Sequence, residues 1–192
     1  MHSQLQTAIK QLTGMPAEAW MLGEAHFQEL RLAKGQFLVR QGAVCQQVAF
    51  IVEGLLRSFS SHEDGTQTTA CFCADNTFTT AYRSFVQQIP SEVSIQAVED
   101  TRLLVVEQRA LQELFNHNLY WLRLGTALLE KEYFSLERYA AALNRETGKE
   151  KYQRLLREQP DVLLRVPVQQ VASYLGISRE TLSRIRRQIS TA

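Results

Sequence analysis

The residues best suited to chemistry lie together near the C-terminus, in the stretch "VQQVASYLGISRETLSRIRR" that runs from Val168 to Arg187. Arg179, Glu180, Ser183 and Arg184 stand at i, i+1, i+4 and i+5, so on a helix they share one outward face near its start. An Arg on such a face can donate two hydrogen bonds to guanine O6 and N7, and a Glu can accept one from cytosine N4. Arg186 and Arg187 extend the positive surface toward phosphates, which position a protein on a duplex without specifying sequence. The chemistry expected is recognition of double-stranded DNA.

Those side chains are useful only if two short helices hold them around a tight turn, and the same stretch supplies the parts. Ala172 is small where the helices must touch. Gly176 tolerates the positive φ that the turn demands. Val171, Leu175, Ile177, Leu182 and Ile185 supply the inward face. Ser178 stands at the N-cap of the second helix with Thr181 three residues on, and Pro167 precedes the first helix. A merely solvated charged face would not require this turn geometry beside it.

Charge is distributed to match. The net charge of the 192 residues is only +1, yet Arg145 to Ala192 carries ten Lys/Arg against five Asp/Glu, and the preceding residues carry eleven against fifteen. A basic C-terminal part points to a polyanion. No apolar run approaches the ~20 residues that span a bilayer, and the polar N-terminus lacks a signal-peptide core. A cytoplasmic protein without membrane contact is expected.

From Phe27 to Glu107 short β-branched and aromatic runs are separated by turn residues: "GQFLVRQG", "QVAFIVEG", "LLRSFSS", then Asp64-Gly65, "TQTTACFC", "EVSIQAV" and "RLLVVE". This spacing predicts an antiparallel sandwich or roll, preceded by short helices over Ser3 to Glu29. Cys71 and Cys73 become neighbours on one face of a strand, a spacing open to a metal or redox role as well as to simple filling of the sheet. With Cys45 they number three, and no disulfide framework is implied. The four histidines, His2, His26, His62 and His117, show no metal-ligand spacing. No metal site and no cofactor are expected, and without a His-x-His pair or a nucleophile–base arrangement enzymatic chemistry is disfavoured.

Arg109 to Leu143 reads as one long helix. Phe115, Leu122, Leu129, Leu136 and Leu143 recur every seven residues, with a second column at Leu119, Thr126, Tyr133 and Ala140. Two such columns make a coiled-coil seam, so Leu122, Leu129, Tyr133, Leu136, Ala140 and Leu143 are the expected homodimer contacts. Packing of the stripe on the chain's own roll is the alternative, although Leu124 and Leu128 lie off the seam and can serve that contact. Thr147-Gly148 ends the long helix, Lys149 to Arg157 forms another, and "QPD" is expected to turn. The predicted architecture is α+β. A sensor roll with N-terminal helices spans 1–108, a dimerisation helix 109–145 and a helix-turn-helix domain 146–192.

A roll, a long helix and "GISRETLSRI" in that order resemble the Crp/Fnr superfamily of bacterial transcription regulators, over roughly Phe27 to Ile189. "SRET" followed by Arg184 is similar to the recognition helix of the cyclic-AMP receptor protein. Glu180, Ser183 and Arg184 resemble the Glu-x-x-Ser-Arg pattern of the oxygen-sensing branch. The resemblance implies a dimer on a palindromic operator, an allosteric roll and RNA polymerase as a further partner. It also marks departures. By spacing, Thr80-Ala81 and Ser91-Glu92 replace the Gly-Glu and Arg-Ser pairs that hold a cyclic nucleotide, and Glu92 would repel its phosphate; Arg83-Ser84 lies too early to substitute. Three cysteines exclude a four-thiolate iron–sulfur cluster within one chain. The chain stops three residues after Ile189, so the β-hairpin wing of the family is expected to be absent. Phosphate anchoring would then fall to Arg186, Arg187, Gln169, Gln170 and helix N-termini. The effector, if any, is unknown. The competing readings are a signalling module whose C-terminal helices bind protein, and a cyclic-nucleotide-responsive regulator with a non-standard pocket.

Overall fold

A computed structural model describes residues 1–143 and 145–190. Two four-stranded antiparallel sheets face each other. One has the order β1 (Gln28–Leu32), β8 (Thr101–Glu107), β3 (Gln47–Glu53), β6 (Phe78–Thr79); the other has β2 (Phe37–Val39), β7 (Ser94–Ala97), β4 (Leu55–Ser61), β5 (Gln67–Ala74). The strand β3 lies between β8 and β6, and its "VAFIV" run is buried throughout. β4 is likewise buried from Leu55 to Phe59. A strand covered on both faces reads as a continuous apolar run instead of alternating.

β4 departs from that rule at Arg57, which is 4% exposed. Its Nε donates to Thr69 Oγ1 at 2.9 Å, its Nη1 donates to Gln67 Oε1 at 2.9 Å, and its guanidinium lies over the Phe59 ring. Burial pushes its pKa down to about 10, because a charged group loses hydration there.

Helices α1 (His2–Thr13) and α2 (Ala17–Met21) precede the roll, and α3 (Tyr82–Gln87) interrupts it. The helix expected over Arg109 to Leu143 is two helices, α4 (Gln108–His117) and α5 (Leu119–Leu143). Asn118 separates them in an extended conformation. Its Oδ1 accepts from the amides of Tyr120 and Trp121, satisfying donors that a helix start leaves unpaired. Phe115 therefore leaves the seven-residue column and packs against Gly125.

Trp121 fixes the base of α5. It is fully buried, forms a three-ring cluster with Trp20 and Phe27 in which each ring contacts the other two, and donates from Nε1 to the Ala19 carbonyl at 2.8 Å. Gly23 lies so close beneath the indole that a Cβ there would sit 2.2 Å from it. Leu124 is buried in the same core, and Leu128 packs on its edge.

After α5 come α6 (Gly148–Glu158), α7 (Pro160–Arg165), α8 (Val168–Leu175) and α9 (Arg179–Ser190). The "QPD" segment is not simply a turn. Gln159 ends α6 and Pro160 starts α7 at a position where its missing N–H costs nothing. Thr147 and Glu150 form a capping box at the start of α6.

Candidate nucleic-acid interface

The last two helices have the geometry the sequence predicts. α8 ends at Gly176, whose φ of 69° lets its N–H return to the carbonyls of Ala172 and Ser173. Ile177 N–H bonds back to Ala172 O at 3.1 Å. The Thr181 amide donates to Ser178 Oγ at 3.1 Å, capping α9. Leu182 and Ile185 turn inward and join Val171, Ala172, Leu175, Tyr152 and Leu155 in one cluster. With one side of α9 spent on that core, the opposite side faces solvent.

Arg179, Glu180, Ser183, Arg184 and Arg187 are all on the exposed side. Arg184 Nη2 donates to Thr181 Oγ1 at 3.2 Å, which steers the guanidinium along the N-terminal half of the helix. The Glu180 carboxyl is held below its ordinary pKa by the helix-start amide and by Ser178, so at neutral pH it is an acceptor only. Arg186 is placed differently from Arg187: it is half-buried, with its guanidinium 5.7 Å from the centre of the Tyr152 ring. On α8, Gln169 is exposed and Gln170 is half-buried, its carboxamide oxygen shielded from solvent.

Along α5, every residue from Leu129 to Ala141 is exposed in the single chain. Leu122, Leu129, Tyr133 and Leu136 lie 47%, 48%, 62% and 64% exposed, with Ala140 exposed beyond them. The Leu143 side chain lies outside the described residues.

The loop of the roll around α3 carries the expected departures. Thr80 donates to Gln47 O, Ala81 is buried, and Ser91 donates to Val93 O. Glu92 is exposed and pairs with Arg83, the arginine that spacing alone placed too early. The hydroxyl of Ser84 donates to Ile89 O and accepts from the Cys45 amide. Both side chains of the Arg83–Glu92 pair are largely exposed. At the matched positions Thr80, Ala81 and Ser91 supply no cation and Glu92 opposes an anion, so this donor set does not fit a cyclic phosphate. No group of three or more metal-ligating side chains converges among the described residues, and among them no helix is long and apolar enough to cross a membrane.

Residues 29–118 match the cyclic nucleotide-binding domain family. Whole-chain similarity extends further. FixK2 from Bradyrhizobium japonicum superposes with a TM-score of 0.77 at 20% identity, covering 86% of this chain and 85% of that one. The global regulator CLP of Xanthomonas campestris, described as c-di-GMP responsive, superposes at 0.71 with 20% identity over 92% of both chains. A protein assigned to the crp/fnr family from Eubacterium rectale gives 0.70 and 17% identity, covering 93% of this chain and 85% of that one. The chain has the Crp/Fnr fold. A comparison with curated protein sequences finds no significant match.

Within this Crp/Fnr fold, a set of contacts invisible in the sequence docks the C-terminal helices onto the roll. Ser173 of α8 donates to the Gln67 carbonyl at 2.8 Å and accepts from the Thr69 amide at 3.0 Å. The Phe72 ring meets Tyr174 at 5.5 Å between centroids. Arg165 of α7 pairs with Glu99 and Asp75 of the roll. Leu55, Phe72 and Val98 of the roll share the core of the C-terminal helices. A Ser in the middle of a short helix is the only local signal, and it does not say which strand it meets.

Proposed function

We propose that the chain is a sequence-specific, DNA-binding transcription regulator that acts as a homodimer on a palindromic operator. The observation that carries the reading is α9: one face is committed to a helix-turn-helix core, while Arg179, Glu180, Ser183 and Arg184 stand together on the face left to solvent. A recognition helix reaches base edges with the residues of its N-terminal part. Ser178 and Thr181, which shape that end, and Arg187, Gln169 and the outer part of Arg186 are the phosphate-facing neighbours. Residues 1–108 act as the sensor, 109–145 as the pairing rod and 146–192 as the reading head.

The homodimer follows from α5. A helix exposed on every side over Leu129 to Ala141 gains little from its own chain, and helices of this length depend on an apolar face finding cover. A second copy of the same stripe covers Leu122, Leu129, Tyr133, Leu136 and Ala140 by heptad packing. Two heads then read half-sites about 34 Å apart, one helical turn. Cyclic AMP is not the effector through the usual loop in this reading, because Thr80-Ala81 and Ser91-Glu92 stand in place of the pairs that would hold it and exposed Glu92 opposes its phosphate.

Sedimentation of the wild type and of Leu129→Glu, followed by selection from a pool of random duplexes, tests the reading. A wild-type dimer that enriches an inverted repeat, with a monomeric variant that enriches none, supports it. A dimer that retains no duplex at low salt refutes it and favours a head that binds protein.

A further inference from the structure

We propose that Cys71 and Cys73 form a dithiol switch: a hydroperoxide oxidises them to an intrastrand disulfide, and closing that bond loosens the reading head from the roll.

The two sulfurs already lie 3.9 Å apart on one face of β5. Cys71 is exposed and Cys73 half-buried, and both are within electrostatic reach of Lys131 or Glu132 on α5. Phe72, between them in sequence, points to the other face and is buried against Tyr174 of the head. The same strand supplies the Thr69 amide and the Gln67 carbonyl that hold Ser173. One strand therefore carries a thiol pair on one side and the docking surface on the other.

β5 is also built to yield. It is the edge of its sheet and pairs only with β4. Its ladder is irregular beside the thiols, where Ser58 pairs with Cys71 and Phe59 with Thr69, leaving Ala70 without a partner strand residue. Residues two apart in a strand have Cα atoms about 6.6–6.8 Å apart. That is the upper end of the range a disulfide spans, and its sulfurs must close to about 2 Å. Closure shortens the strand at Phe72, and the bulge and open edge let it do so without breaking a second ladder.

The chemistry balances with a hydroperoxide as the only co-reactant. The Cys73 thiolate attacks the peroxide, the O–O bond breaks, an S–O bond forms, and the leaving alkoxide takes a proton. Cys71 then gives up its proton and attacks the Cys73 sulfur; the S–S bond forms, the S–O bond breaks, and hydroxide leaves as water. Two thiols lose two electrons and the peroxide gains them. The contact between the two thiols holds Cys73 below its ordinary pKa and pushes Cys71 up, which favours Cys73 as the attacking sulfur.

The output of the switch rests on the DNA-binding reading, so the test separates the two. The full chain is treated with hydrogen peroxide and compared with dithiothreitol-reduced protein and with Cys71→Ser and Cys73→Ser. Peptide mapping should show a peptide holding both cysteines that has lost the mass of two hydrogen atoms, in the wild type alone. Hydrogen exchange should quicken over 67–73 and 168–175, and should reverse with dithiothreitol. Affinity for a duplex enriched by the reduced protein should fall about tenfold, within the usual range of such coupling. Sulfinic acid without a cross-link, disulfides only between copies, or a cross-link that leaves exchange over both segments unchanged would each overturn the switch. Quickened exchange with no duplex binding in either state supports the switch and removes the DNA-binding reading instead.

Discussion

Replacing Trp121 with alanine tests how the long helix is rooted in the roll. The indole is fully buried against Trp20 and Phe27 and donates to Ala19 O. A buried aromatic of this size removes about 150–250 Å² from water. At about 25 cal/mol per Å² that is roughly 4–6 kcal/mol as an upper bound. Alanine retains part of that burial and the site collapses partially, so the expected loss is about 3–5 kcal/mol. Phenylalanine keeps the stacking but leaves the Ala19 carbonyl without its donor, for a loss of about 1–2 kcal/mol. Urea titrations at one fixed chain concentration read both, because dimer stability depends on concentration. The midpoint should fall in the order wild type, Trp121→Phe, Trp121→Ala, with the slope unchanged. A Trp121→Ala loss below about 1 kcal/mol would show that the three-ring cluster does not anchor α5.

Three further outcomes follow from the same contacts. Ser173→Ala should cost about 1–3 kcal/mol, since the buried Thr69 amide loses its acceptor; amide exchange at Thr69 should quicken while that of Leu103 in β8 stays as it was. Glu150 has its pKa lowered by the backbone and hydroxyl of Thr147, so its contribution is present above the ordinary glutamate value and is lost as pH falls through the depressed folded value. The stability gap between wild type and Thr147→Ala should therefore stay constant down to the ordinary glutamate value of about 4.3 and narrow below it, leaving the part due to the Thr147 hydroxyl that caps the Glu150 amide, as urea midpoints would show. Arg187→Ala should weaken duplex binding evenly across sequences and reduce the slope of log K against log salt by about 1; a change of base preference would contradict its phosphate role.

The parts legible in the sequence are those written over short distances. Ala172, Gly176 and Ser178 specify a helix-turn-helix because each answers a local requirement within one turn, and the strands of the roll announce themselves by composition and turns. The break at Asn118 was hidden because the seven-residue column runs through it from Phe115 to Leu122. Only the capping bonds of its side chain reveal that the column changes partner there. Trp121 lies off that column, and its three partners come from the N-terminal segment. Ser173 meets a strand 104 residues away, a pairing no periodicity encodes. Arg83 and Glu92 were read separately as a misplaced cation and a repelling anion, whereas folding makes them a pair. The spacing of Cys71 and Cys73 was visible, but what Phe72 touches between them was not.

The base preferences of the wild type and of Arg184→Ala, measured position by position on the enriched duplex, test the central claim most directly. The exposed Arg184 beside Thr181 should specify one base pair in each half-site, so its removal should cost about 1–3 kcal/mol and flatten preference at that position alone. An identical preference profile in the two proteins would contradict the claim that α9 reads the duplex.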